Sequence, residues 1–135
     1  MKFVLDADVL IAALDGSDDH HATARVLFTN WEQQNATRLI SVVNLSEALI
    51  GPAADKQRLR RARAAIAALG VAIHHPGEAI GVEAARLRHT HPVSLPDAYC
   101  LATALHTNAS IASFDQKIVR AARAEGIEIA ASHAA

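Results

Sequence analysis

Asp6, Asp8, Glu47, Asp97 and Asp115 are carboxylates set in apolar surroundings. Between Phe3 and Leu14 the only charged residues are Asp6 and Asp8, and between Leu39 and Ala54 the only one is Glu47. Between His89 and Phe114, histidines aside, Asp97 stands alone, and Asp115 follows directly. An ionised carboxyl in a low-dielectric interior is costly enough that it is paired, protonated or bound to metal. These stretches offer no lysine or arginine as partner. Two carboxylates ~4 Å apart repel by about 4 kcal/mol at an effective dielectric of about 20. A cluster of them therefore calls for a cation. Oxygen ligands alone suit Mg²⁺, with Mn²⁺ as the second choice, and Mg²⁺ keeps several waters beside one or two carboxylates.

Each acid taken singly also has a plainer reading. Asp97 reads as an acid in the first turn of a helix, and Asp115 as the N-cap ahead of Gln116-Lys117. Glu47 can be a surface residue of its helix. Asp8 reads as a first-turn acid or a group supporting other ligands rather than a ligand itself. The joint occurrence is harder to explain in this way than any one member.

The elements that must position these acids follow from apolar periodicity and punctuation. Short apolar runs at 3–5, 38–41, 71–73, 111–112 and 127–129 read as five strands. Helices are expected over 9–14, 20–34, 43–50, 56–69, 78–89, 96–106 and 117–124. Gly16 and Gly70 stop two of them, and Pro96 opens another. Ser17-Asp18-Asp19 supplies N-cap chemistry for the second helix, whose inner face should carry Ala22, Val26 and Leu27. Asp55 caps the fourth. Alternating strands and helices predict one α/β domain over 1–135, a central parallel five-stranded sheet with helices on both faces. Ligands bind such sheets beyond the carboxyl ends of the strands. Asp6 and Asp115 follow strands, Asp97 opens a helix, and the longer Glu47 reaches towards the same rim.

Val4-Leu5-Asp6-Ala7-Asp8-Val9-Leu10-Ile11, Asn44-Leu45-Ser46-Glu47-Ala48, Leu95-Pro96-Asp97-Ala98 and Ala112-Ser113-Phe114-Asp115 resemble, in order, the four acidic motifs of PIN-domain nucleases. The likeness to the VapC toxins runs over 2–129. It implies a metal-dependent endoribonuclease with Asp6, Glu47, Asp97 and Asp115 as catalytic and metal-binding acids. Ser113 would support the last of them, and Asp8 falls where relatives often carry a small polar residue. The resemblance also implies a homodimer, an antitoxin that occupies the active-site groove, and an RNA substrate, a tRNA or another structured RNA.

The totals are compatible with this. The chain has 135 residues, net charge −1, and 51% hydrophobic residues, an ordinary globular composition. Setting aside the four principal acids leaves 10 of the 14 against 13 basic residues, which permits an RNA partner. The single cysteine, Cys100, excludes a disulfide framework and reads as a buried thiol. No apolar run approaches the ~20 residues of a membrane span, and Asp6 interrupts any signal-like start, so the cytoplasm is expected.

Arg58, Arg60, Arg61 and Arg63 form a basic run that can track an RNA backbone or serve as a solvated helix face. His20-His21 and His74-His75 are adjacent pairs that do not share a helix face, which disfavours a histidine metal site. Phe28, Trp31 and Tyr99 read as packing. A haloacid-dehalogenase-like phosphohydrolase is suggested by Asp6-x-Asp8 but leaves Glu47 and Asp97 unexplained. A receiver domain lacks its phosphoacceptor after the third strand, and a silent PIN-like binding module would not need all four acids.

Overall fold

The computed structural model describes residues 1–130. Strand β1 (Lys2–Leu5) leads into helix α1 (Ala7–Leu14) and helix α2 (His21–Gln33). Strand β2 (Thr37–Ser41) runs straight into α3 (Val42–Leu49), and α4 (Lys56–Ala68) precedes β3 (Val71–His74). Helices α5 (Glu78–Thr90) and α6 (Leu95–Thr107), strand β4 (Ser110–Ala112) and helix α7 (Gln116–Ala124) complete the order. All strand pairings are parallel, in the order β3-β2-β1-β4.

Side chains alternate across the sheet as the two-residue period of a strand requires. Phe3 and Leu5 enter one core with Leu10, Trp31, Ile40 and Ile66, while Val4 enters the other with Leu87, Leu101, Ile111 and Ile118. Trp31 packs between Phe3 and Phe28, with ring centroids 5.1 and 5.0 Å away. Helices cover both faces, as a parallel sheet demands.

The expected fifth strand is reduced to a single bridge. Ile111 donates its N–H to Glu128 O at 2.9 Å and accepts from Ala130 N at 2.8 Å. Strand β4 has three residues, and its first and last turn their backbone groups towards β1. Only Ile111 remains to pair outward, so no ladder forms.

Two local expectations also change. Val26 and Ala22 are exposed, and α2 buries Ala24, Leu27, Phe28 and Trp31 instead. The stretch Ser17-Asp18-Asp19 closes on itself: Asp15 Oδ1 accepts from Ser17 N, and Asp18 Oδ1 accepts from His20 N. Helix α2 thus has His20 at its N-cap and no side-chain cap bond. Asp55 caps α4 as expected, accepting from Gln57 N at 2.8 Å. Gly70 ends α4 with φ +71°, and the Arg38 guanidinium lies 3.2 Å from where its Cβ would stand. Any side chain there would be strained and would displace that arginine.

Candidate active site

Strand β1 has β2 on one side and β4 on the other, so the chain reverses its direction of travel across the sheet between β1 and β4. At such a switch point the connections leave in opposite directions and open a crevice beyond the strand ends. Asp6 is the first residue after β1, and Ser113 the first after β4. Ser113 Oγ donates to Asp6 Oδ2 at 2.8 Å and accepts from Asp115 N at 3.0 Å, so one hydroxyl links the two strand ends. Asp6 Oδ1 accepts from Ala7 N at 2.8 Å, fixing the carboxylate at the start of α1. Asp8, in the first turn of α1, accepts from Phe114 N through Oδ2 at 3.0 Å.

The other two acids arrive on helices. Glu47 sits on α3, where Asn44, three residues earlier on the same face, donates to its Oε1 at 3.1 Å. The same Asn44 amide donates to Pro96 O at 3.0 Å, tying α3 to the first turn of α6, which carries Asp97. Asp97 and Ser94 form a reciprocal capping box. Asp115 caps α7 through Lys117 N at 2.9 Å. The plain capping roles of Asp97 and Asp115 are therefore real, and each uses one oxygen of its carboxylate.

Electrostatically the group is unneutralised. Among the described residues, none of the five acids forms a salt bridge. Asp6, only 5% exposed, has its pKa pushed up to about 8, first by burial and then by the charge of Asp8, with Asp97 adding to it. Burial likewise raises Asp8 to about 6, and Asp115 adds to the rise. Burial pushes the Cys100 thiol well up, and Asp6, Asp8, Asp97 and Glu47 reinforce it, so this is an inert thiol within the field of four acids.

Among the described residues no three His, Cys, Asp or Glu side chains converge tightly enough to cage an ion. The acids lie near one another beyond the strand ends without meeting at a point. A hard cation that keeps most of its water fits such a set, because it needs only one or two direct carboxylates. Asp8 Oδ1 and Asn44 Oδ1, both buried and without a hydrogen-bond partner, are further oxygen acceptors in this region.

Beside Glu47 opens a cleft of about 640 Å³, bordered by Ile11, Leu14 and Asp15 and by Arg58 and Arg61 of α4. Arg60 and Arg63 instead border a separate hollow with Lys56 and Leu59. The basic run is therefore two faces of one helix, and only one of them adjoins an acid of the crevice.

The PIN-domain family model matches residues 3–124. This chain belongs to the PIN-domain family. No curated protein matches it significantly in sequence. Its fold is similar to that of VapBC-1 from nontypeable Haemophilus influenzae, at 17% identity and TM-score 0.72 over 96% of this chain and 97% of that one. VapC20 of Mycobacterium tuberculosis, a sarcin–ricin loop cleaving toxin, has 18% identity and TM-score 0.72 over 88% and 94%. A toxin–antitoxin complex from Klebsiella pneumoniae gives 24% and 0.69 over 84% and 87%.

Within this PIN domain, Asn44 is the site residue that sequence reasoning passed over. It lies inside one of the acidic motifs and is fully buried. An amide three residues before an isolated glutamate, on an otherwise apolar helix face, was the available signal. Membership of the family also leaves the phosphohydrolase alternative without support.

Proposed function

We propose that this PIN domain is a divalent-metal-dependent endoribonuclease, the toxin of a VapC-type toxin–antitoxin pair, acting in the cytoplasm. The observation that carries the reading is the acid group at the β1/β4 switch point. Four chain segments carry buried or half-buried carboxylates there, and among the described residues none of these acids forms a salt bridge. Fold similarity to toxin–antitoxin complexes supports an antitoxin as partner. The family likeness supports a homodimer and a structured RNA such as a tRNA as substrate.

On this reading Asp6, Glu47, Asp97 and Asp115 hold the ion, Mg²⁺ by preference and Mn²⁺ as the alternative. When bound, it would neutralise phosphate oxygens and make a coordinated water acidic enough to attack. The chain's own residues supply position. Ser113 and the Ala7 N–H fix both oxygens of Asp6, and Asn44 orients Glu47. The capping bonds of Asp97 and Asp115 hold their side chains at helix starts, where the dipole favours negative charge. Asp8 steadies the Phe114 turn rather than binding directly. No histidine lies among these contacts, so no histidine base is invoked, and water attack predicts 5′-phosphate and 3′-hydroxyl ends.

Incubation of the pure protein with total RNA, with and without EDTA, followed by mapping of 5′ ends, tests the proposal. Cleavage at discrete positions that EDTA stops is the expected result. Cleavage that persists in EDTA would overturn the metal mechanism. No cleavage of any RNA with Mg²⁺ or Mn²⁺ would leave a silent PIN-like binding module.

A further inference from the structure

Phe114 lies between Ser113 and Asp115, two residues of the acidic crevice, and its N–H is held by Asp8. The His20 imidazole lies flat on the Phe114 ring, centroids 4.3 Å apart and planes within 9°. Its backbone N–H is fixed by Asp18 Oδ1 at 2.8 Å, at the start of α2. One face of the imidazole is covered by Phe114, yet 56% of the side chain remains exposed. Asp18 Oδ1 lies 3.8 Å from the ring Nδ1, and the exposed remainder of the side chain leaves ring surface away from Phe114 accessible to a ligand. Phe28 and Trp31 are buried in the core and offer no such face.

A flat π surface held at the edge of an acid-lined crevice has a specific use for a nuclease. Negative carboxylates repel the phosphate backbone, so a substrate strand gains from contacts that involve no charge. Unpaired RNA bases stack on histidine and phenylalanine rings, and every base has a face to offer. We propose that the His20–Phe114 stack is a platform for one unpaired base flanking the phosphate to be cleaved. The inference rests on the nuclease reading above and deepens it: the substrate must present a splayed base, in a loop or single strand, near the cut.

The stack also has a purely structural use, roofing Phe114 against water. Leucine would serve as a roof equally well but has no π face, so His20→Leu separates the two roles and His20→Phe preserves both. The first readout is fluorescence of single-stranded RNA oligomers carrying 2-aminopurine, titrated with the Asp97→Asn protein in Mg²⁺. Stacking on the platform should quench the probe at one position. His20→Phe should keep the quench, while His20→Leu should abolish it and weaken binding about tenfold, the size of one base–aromatic stack. The second readout is cleavage by the active protein. There His20→Leu should raise KM about tenfold with kcat altered far less, since a stack formed equally in ground and transition states is uniform binding. Replacing the flanking base by an abasic ribose should cost a similar factor and make His20→Leu silent.

EDTA-sensitive cleavage combined with an unchanged quench and KM in His20→Leu would sink the platform and spare the nuclease. A quench that depends on the ring at position 20, without any cleavage, would retain the platform and sink the nuclease. Absence of both would dispose of both.

Discussion

Two groups of acids in this molecule have opposite electrostatic settings. Glu83 and Glu125 stand around Arg86, which bonds Glu83 Oε2 and Glu125 Oε1 at 2.8 Å each, and His91 meets Glu125 at 2.6 Å. Arg86 and its bonds hold both glutamates below the usual carboxylate range. Asp6 and Asp8 are both pushed up, first by burial, with the charge of Asp8 adding to the rise at Asp6 and that of Asp115 to the rise at Asp8. The first group joins the end of α5 to the end of α7 and is complete as it stands. The second has no ion pair among the described residues. Carboxylates that are neutralised locally hold the fold together, whereas carboxylates left unneutralised at a switch point are candidates for a binding site, as proposed above.

That distinction should respond most strongly to removal of a charge from the second group. Asp6→Asn keeps shape and the acceptor oxygen but leaves nothing to ionise. RNA cleavage should fall at least about a hundredfold, since even groups that merely orient a metal ligand cost about 10–100-fold. The thermal midpoint in EDTA at pH 8 should rise, because the buried charge, and with it the repulsion from Asp8, is gone. A purified Asp6→Asn protein that still cleaves would refute the assignment. Asp97→Asn should lose activity comparably while its capping bond survives through the amide oxygen.

The pH dependence of stability should carry opposite signs for the two groups. Asp6 ionises at about 4 in the unfolded chain and at about 8 in the folded one. Between those values the folded state binds more protons, so stability in EDTA falls as pH rises from about 4 to about 8. Asp8, raised to about 6, adds to the lower part of that fall. Glu83 and Glu125 have depressed values, so their contribution is present above the unfolded pKa and lost as pH falls through the folded one. Melts across pH 4–9 should show the fall, and Asp6→Asn should flatten its upper part. Mg²⁺ should restore stability most at pH 8, and its binding near pH 6 should release protons. A flat profile in EDTA would mean that the crevice is not strained by charge.

How far each group could be read from sequence differs for physical reasons. Asp6, Glu47, Asp97 and Asp115 stood out because charge in an apolar stretch is costly wherever the chain goes. Asp55 and Gly70 were legible because capping and left-handed turns are local. Asn44 was not, because half of its bonding is to Pro96 O, 52 residues away. The Arg86 group was invisible for the same reason, since Glu125 meets Arg86 across 39 residues. Val26 was placed inside by its apolar character alone, although Leu27, Phe28 and Trp31 already set the buried face of α2. The fifth strand is present only as the bridge between Ile111 and Ile129, because β4 is too short to offer it more than one residue.

The arginines of α4 bear on the same contrast by a smaller amount. Arg58 and Arg61 border the cleft that contains Glu47, while Arg60 and Arg63 do not. Each RNA phosphate that is no longer neutralised should reduce the salt slope of binding by about 0.7–0.9. Arg58→Gln with Arg61→Gln should therefore lower the slope by between about 1 and 2. The Arg60, Arg63 pair should leave it nearly unchanged. Equal effects from both pairs would make the helix a diffuse basic surface and not one wall of the substrate path.

The mildest change should come from the complete group itself. Glu125→Gln retains the shape of the side chain but removes the charge facing Arg86 and His91. Because Arg86 is half-exposed and solvent screens its pairings, the loss should be modest, about 3 °C in Tm for a chain of this size. The difference from wild type should be largest above the unfolded pKa of a glutamate, about 4.3, and shrink as pH falls through the lowered folded value. Cleavage should be untouched, because α5 and α7 remain joined by Ile80, Leu87 and Ile118 in the apolar core beneath. If activity instead falls along with stability, the His91 end of the group reaches Asp97 through the four-residue step from α5 to α6, and the two acid groups are coupled rather than separate.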